Sequence, residues 1–160
     1  MYLDALSFLE DERDGWRPYE ALDELTDEQL SVVPEGAHGW SGRDLIGHLV
    51  GWQEVALGVA RELAVAEASP AKAAADAEWE ARGDAVNEEL RQAWLALPMA
   101  EVRRRMRTVP GELRGYLTVV PETRWIKDAD HEEFFLAETI DHYEEHLADL
   151  EAILVSAGRG

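Results

Sequence analysis

Residues 138–150 read Glu138-Thr-Ile-Asp-His142-Tyr-Glu-Glu-His146-Leu-Ala-Asp-Leu150, and the spacing of the apolar side chains in and around them predicts a helix. At about 100° per residue, Leu136, Ile140, Tyr143, Leu147, Leu150 and Leu154 fall on one seam, with Phe135 and Ile153 on its flank. His142 and His146 are four residues apart, so they share a face, and they lie along that same apolar flank. Two imidazoles there are costly to bury unless each finds a partner. A divalent metal ion is one such partner, because histidines at i and i+4 can chelate a single ion. Hydrogen bonds to Glu138 or to backbone carbonyls are the other, and two ligands alone do not make a site.

Working outward, Asp130 with Glu133 forms a capping signal for this helix, and His131 in its first turn is expected to be exposed. Residues 109–127 contain Pro110, Gly111, Gly115 and Pro121 and lack a helical period, so a long irregular connection is expected, with Leu117 to Val120 as a short extended piece. Residues 73–97 predict a helix with Trp79, Val86, Leu90, Ala93 and Leu97 near one face, ended by Pro98. Ser41 is a good N-cap with Asp44 three residues on, opening a helix to about residue 68. Its seam is Leu45, Leu49, Trp52, Ala56, Val59 and Leu63, and His48 lies about 60° off it, also facing inward. Residues 3–24 predict a first helix with Leu6, Leu9, Trp16, Tyr19, Leu22 and Leu25 inward, kinked by Gly15 and Pro18. Thr26 and Gln29 have capping-box spacing, and His38 in the loop 34–39 is expected to be solvent-exposed. Four principal amphipathic helices predict an all-α four-helix bundle over residues 1–160 as one domain, the long third connection closing over one end.

Composition narrows the functions. A 160-residue chain that is 46% hydrophobic can bury one sizeable core. With no run of eighteen apolar residues and no basic-then-apolar N-terminus, neither a membrane span nor a signal peptide is expected, and the cytoplasm is the default location. There is no cysteine, so neither a thiol nucleophile nor a thiolate ligand comes from the chain. The net charge of −19 argues against nucleic acid as a partner. Residues 101–127 reverse that sign, with seven basic against three acidic side chains. Pairing of this segment with acidic helices of the same fold is the favoured account, and an anion-steering patch at a pocket mouth the sharper one.

If the His48 helix packs beside the last one, three imidazoles converge at one end of the bundle. Three neutral nitrogen donors leave a tetrahedral ion one open position, and they suit zinc or nickel. Here Trp40-Ser41-Gly-Arg-Asp44-Leu-Ile-Gly-His48 resembles the Trp-Ser-x-x-Asp-x-x-x-His signature of the DinB/YfiT-like four-helix proteins, and His142 and His146 match the His-x-x-x-His of their fourth helix. Residues 137–146 with Trp79 to Asn87 look closest to the ClbS/DfsB branch, although that branch typically has Asn before the Thr where this chain has Glu138. The resemblance implies a metal site of His48, His142 and His146. It also brings in relatives that are mycothiol-dependent maleylpyruvate isomerases or bacillithiol S-transferases. The family name refers to damage-induced expression and not to DNA binding.

The leading expectation is therefore a metal-dependent enzyme, an S-transferase or isomerase, that uses a low-molecular-weight thiol on a small electrophilic substrate. Arg114 and Arg124 are the guesses for receiving the cofactor's carboxylates. Trp52, one turn beyond His48, would line the pocket or equally lie in the core, and Glu138 would orient His142 from behind. Two alternatives stand beside it: a metal-hydroxide hydrolase with the same ligands, and a non-catalytic protein that binds or sequesters a small molecule. Many relatives self-associate, so a homodimer is expected, with the exposed part of the first helix as the surface.

Overall fold

The computed structural model describes residues 1–160, and every regular element in it is helical. In chain order these are α1 (Ala5–Trp16), a 3-10 stretch (Arg17–Glu24), α2 (Asp27–Ser31), α3 (Gly42–Val65), α4 (Pro70–Arg82), α5 (Asp84–Leu95), α6 (Met99–Val119), a 3-10 turn (Glu122–Arg124), α7 (Ala129–Glu138), α8 (Ile140–Glu145) and α9 (Leu147–Ser156). The bundle is built on α3, which touches α2, α4, α5, α6, α7 and α9. That position follows from its sequence, since Leu45, Ile46, Leu49, Val50, Ala56, Leu57, Val59, Ala60 and Leu63 are all buried and surround the helix on most of its sides. Its start is fixed by a complete capping box, with Ser41 accepting from the Asp44 N–H and Asp44 accepting from the Ser41 N–H.

The first helix ends where Gly15 and Pro18 predict, Arg17–Glu24 continuing as 3-10, but Leu6 faces solvent at 65% exposure. The single helix expected over 73–97 is two helices, broken at Gly83, whose φ of +51° is open to glycine at little cost. A side chain at Gly47 would meet Trp94 Cβ at 2.8 Å, so this glycine is what lets α5 lie close against α3.

The largest departure is residues 109–127. In place of an irregular connection, α6 runs unbroken through Pro110, Gly111 and Gly115 to Val119, and Leu117 to Val120 is its end and not an extended piece. A proline inside a helix costs about 3 kcal/mol. Val109, Leu113 and Leu117 lie on the face buried against α3, each contributing roughly 1.5–3 kcal/mol by leaving water, which outweighs that penalty. The basic residues of this segment pair internally, as the favoured account has it. Arg103 binds Asp27 (2.8 Å), Arg107 binds Asp23 (2.7 Å) and Arg105 binds Glu101 (2.8 Å).

The last helix is also not continuous. Asp128, not Asp130, caps α7 by accepting from the His131 N–H, and His131 is buried, its Nδ1 2.7 Å from the Arg124 carbonyl. Breaks at Thr139 (φ −129°, ψ −95°) and His146 (φ −102°, ψ 7°) separate α7, α8 and α9. Leu147, on the seam of an ideal helix, is 45% exposed. No helix is long and apolar enough to cross a membrane.

Candidate metal centre

His48 comes from the second turn of α3, His142 from the middle of α8, and His146 sits at the junction of α8 and α9. Their ring centroids are 4.5 Å (His48 to His142), 4.9 Å (His48 to His146) and 5.2 Å (His142 to His146) apart. One ligand nitrogen from each lies within 4.8 Å of the others. The three histidines singled out in the sequence therefore converge from regions of the chain some ninety residues apart.

The donor set has the chemistry a divalent ion needs. Burial, then the neighbouring imidazoles, pushes His48 down to about 2 and His142 down to about 4, so both are neutral at pH 7, the ligand form of imidazole. His146 Nδ1 donates to Asp149 Oδ2 (2.7 Å), which leaves its Nε2 lone pair toward the cluster. His142 Nε2 and His48 Nε2 are 2.7 Å apart, a hydrogen-bond distance, whereas two imidazoles on one tetrahedral zinc stand about 3.3 Å apart given Zn–N near 2.05 Å. A ring movement of about half an ångström converts one arrangement into the other. His142 Nδ1 is buried without a partner, so the cluster does not satisfy itself.

The neighbouring residues of the Trp40-to-His48 signature have identifiable work here. Trp40 stacks on His146 (5.4 Å, 21°) and tilts against His48 (4.7 Å), closing one side of the cluster with an apolar ring. Ser41 and Asp44 fix the start of the helix that aims His48, and Asp44 is tied to α5 through Arg91 Nε (3.1 Å).

Above the histidines opens a cavity of about 650 Å³, lined on its apolar sides by Trp40, Trp52, Trp79 and Phe134. Trp52, buried at its edge, lines it, its indole N–H donating to Asn87 Oδ1 (2.8 Å). Trp79 meets Trp52 edge-on at 6.0 Å, and although 47% exposed it faces this cavity. Glu138 also lines the cavity. Burial, then the charges of Asp76 and Glu145, raises its carboxyl to about 8, so it is largely protonated at pH 7. No hydrogen bond joins it to His142.

Arg114 and Arg124 are not among the cavity residues. Arg114 pairs with Glu12, which is wholly buried, at 2.9 Å, and Arg124 donates to the carbonyls of Leu63 (3.2 Å) and Ala64 (3.3 Å). Sequence reasoning missed Asp149, the buried carboxylate that orients His146 and also accepts from His38 Nδ1 (2.7 Å). Its spacing three residues after His146 on a helical face was the available signal. His38 is solvent-exposed as expected, at 80% for its side chain, yet this contact gives the loop a link to the cluster.

The profile of the DinB superfamily matches residues 10–150, a span that includes all three histidines. No curated protein and no solved structure matches the chain. By that match, which covers most of its length, the chain belongs to the DinB superfamily.

Proposed function

We propose that the protein is a divalent-metal-dependent enzyme acting on a small electrophile, with zinc or nickel held by His48, His142 and His146. The observation that carries this reading is the convergence of three imidazoles, two of them held neutral by burial, on the floor of an aromatic-walled cavity. A divalent ion there would supply Lewis acidity and lower the pKa of a nucleophile brought to it. The chain contributes position: Asp149 holds the His146 ring, Trp40 packs on two of the three imidazoles, and Trp52 with Trp79 shapes the space in which the electrophile sits.

With no cysteine in the chain, the nucleophile comes from outside, and a low-molecular-weight thiol, transferred to the substrate or used to isomerise it, is the first form we propose. Water, giving hydrolysis, is the second, and one feature favours it. Lys72 is the only basic side chain other than histidine in the cavity wall and is already bound to Asp76 and Asp130, so a carboxylate-bearing thiol finds no free cation there. We place this activity in the cytoplasm on a small-molecule substrate, without a nucleic-acid partner, and in a homodimer.

Elemental analysis of untagged protein and of His142→Ala tests the metal reading. Near-stoichiometric zinc or nickel in the first and a large loss in the second is expected, and equal content in both overturns it. Turnover of a reactive electrophile by the metal-loaded protein, with and without added thiol, separates the two nucleophiles.

A further inference from the structure

The charge of the cavity wall is one-sided. Asp76, Asp130, Glu133 and Glu145 line it against the single ammonium of Lys72, while Glu138 beside them is largely protonated at pH 7. That ammonium is itself instructive. Lys72 is only 7% exposed, and its Nζ rests between Asp76 Oδ2 (2.7 Å) and Asp130 Oδ2 (2.9 Å), 5.6 Å from the centre of the Phe134 ring. Burial lowers its pKa, yet the bonds to the two carboxylates carry it above the ordinary lysine value. One nitrogen cation, two carboxylates and an aromatic ring thus already form a working recognition unit in this wall. After that unit is complete, Glu133 and Glu145 remain on the cavity with no cation assigned to them.

The other lining points the same way. Trp52 and Trp79 present an aromatic pair beside that single ring, and aromatic walls with nearby carboxylates are how proteins hold ammonium groups out of bulk water. His142 and His146 line the same cavity, so a molecule held there lies against the histidine cluster. A carboxylate or phosphate would instead enter a field of its own sign.

We propose that the cavity takes a small molecule bearing an organic ammonium, its charge answered by Glu133, Glu145 and the tryptophan pair, with its reacting end toward the three histidines. This names the substrate class of the reaction proposed above and rests on that reading for the chemistry, but the binding itself does not require a metal.

The test uses metal-free protein and three probes of one shape: choline, its uncharged isostere 3,3-dimethylbutan-1-ol, and the anion 3,3-dimethylbutanoate, each followed by tryptophan fluorescence and calorimetry. Choline is expected to bind at least about tenfold more tightly than the alcohol, with the anion weakest. The double variant Glu133→Gln/Glu145→Gln, both exposed positions, is expected to weaken choline at least about fivefold and leave the alcohol unchanged, while the remote pair Glu10→Gln/Glu35→Gln changes neither by more than about twofold. In the unaltered protein, added salt should weaken choline and not the alcohol. The proposal is overturned if the alcohol or the anion binds as well as choline, or if the cavity pair weakens choline no more than the remote pair does. It is also overturned if the cavity pair lowers zinc affinity alone, because the carboxylates would then serve the ion. Failure of the metal reading appears separately, as equal zinc content in unaltered protein and His142→Ala.

Discussion

Replacing Asp149 by Asn keeps the shape of the residue and removes the charge behind His146. Asp149 is 4% exposed and uses both carboxylate oxygens, Oδ2 for His146 Nδ1 and Oδ1 for His38 Nδ1, each at 2.7 Å. The two contacts differ in weight. The His146 contact is largely buried and sets which ring nitrogen faces the cluster, and loss of such an outer partner typically lowers metal affinity about 10–100-fold, or about 1.4–2.7 kcal/mol. The His38 side chain is 80% exposed, so solvent screens its half of the arrangement to at most about 1 kcal/mol. We therefore expect Asp149→Asn to raise the zinc Kd by about 10–100-fold and His38→Ala by no more than a few-fold. The double variant should fall short of the sum, because both contacts share one carboxylate. Competition against a chelating dye at pH 7.5 reads the three constants, and circular dichroism confirms the helical content of each variant. The reasoning fails if Asp149→Asn stays within about twofold of the unaltered protein, or if His38→Ala has the larger effect.

Other expectations follow from the same contacts. Glu12→Ala leaves Arg114 unpaired in the core; breaking a buried pair costs about 3–5 kcal/mol, and since the Arg114 side chain is 21% exposed we expect the lower end, a Tm fall of about 6–12 °C by calorimetry. Gly47→Ala forces a Cβ to 2.8 Å from Trp94 Cβ, and overpacking of about 1–3 kcal/mol should lower the Tm by about 2–12 °C; an unchanged Tm would mean that α5 is free to move off α3. In metal-free protein, His48 and His142 are depressed below their usual 6.5, so the unfolded chain binds more protons between about 4 and 6.5 and stability rises with pH there. Glu138 is raised to about 8 from 4.5, so its contribution is present below pH 4.5 and is lost as pH rises through 8. Two groups outweigh one below 6.5 and Glu138 acts alone above it, so these groups place the Tm maximum near pH 6.5, and Glu138→Gln should flatten the decline from 6.5 to 8. A Tm that climbs steadily from pH 6.5 to 8 contradicts this.

What could be read from the sequence was whatever is local and periodic. The Ser41 and Asp44 cap, the buried seam of α3 and the inward direction of His48 depend on contacts within a few residues, and all are present. Residues 109–119 misled because Pro110 and two glycines are local signals against helix, while the burial of Val109, Leu113 and Leu117 against α3 is a long-range gain with no local signature. The same holds for Arg114. Its position in a basic run suggested an anion receptor, but its partner Glu12 lies 102 residues away, and a buried acid in the first helix looks no different in sequence from an exposed one.

That Arg114–Glu12 pair bears on the histidine cluster from behind. Helix α8 has six residues with a break at each end, too short to hold its shape by its own hydrogen bonds. Tyr143, next to His142, supplies the missing constraint. Its hydroxyl donates to Glu12 Oε1 (2.8 Å) and accepts from Gln53 Nε2 (2.7 Å), and its carbonyl accepts from the Tyr19 hydroxyl (2.5 Å). Gln53 and His48 stand on the same helix, so α3 both offers one imidazole to the cluster and grips the short helix that offers another. The separation of His48 from His142 is thus set by a polar network on the side of α8 facing away from the cavity, with Arg114 holding the carboxylate at its centre. An ordinary helix would have presented His142 and His146 with a fixed i,i+4 geometry. Breaking it at Thr139 and His146 and anchoring the middle through Tyr143 lets the rings be placed by tertiary contacts instead, which is what a donor set drawn from two distant parts of the chain requires.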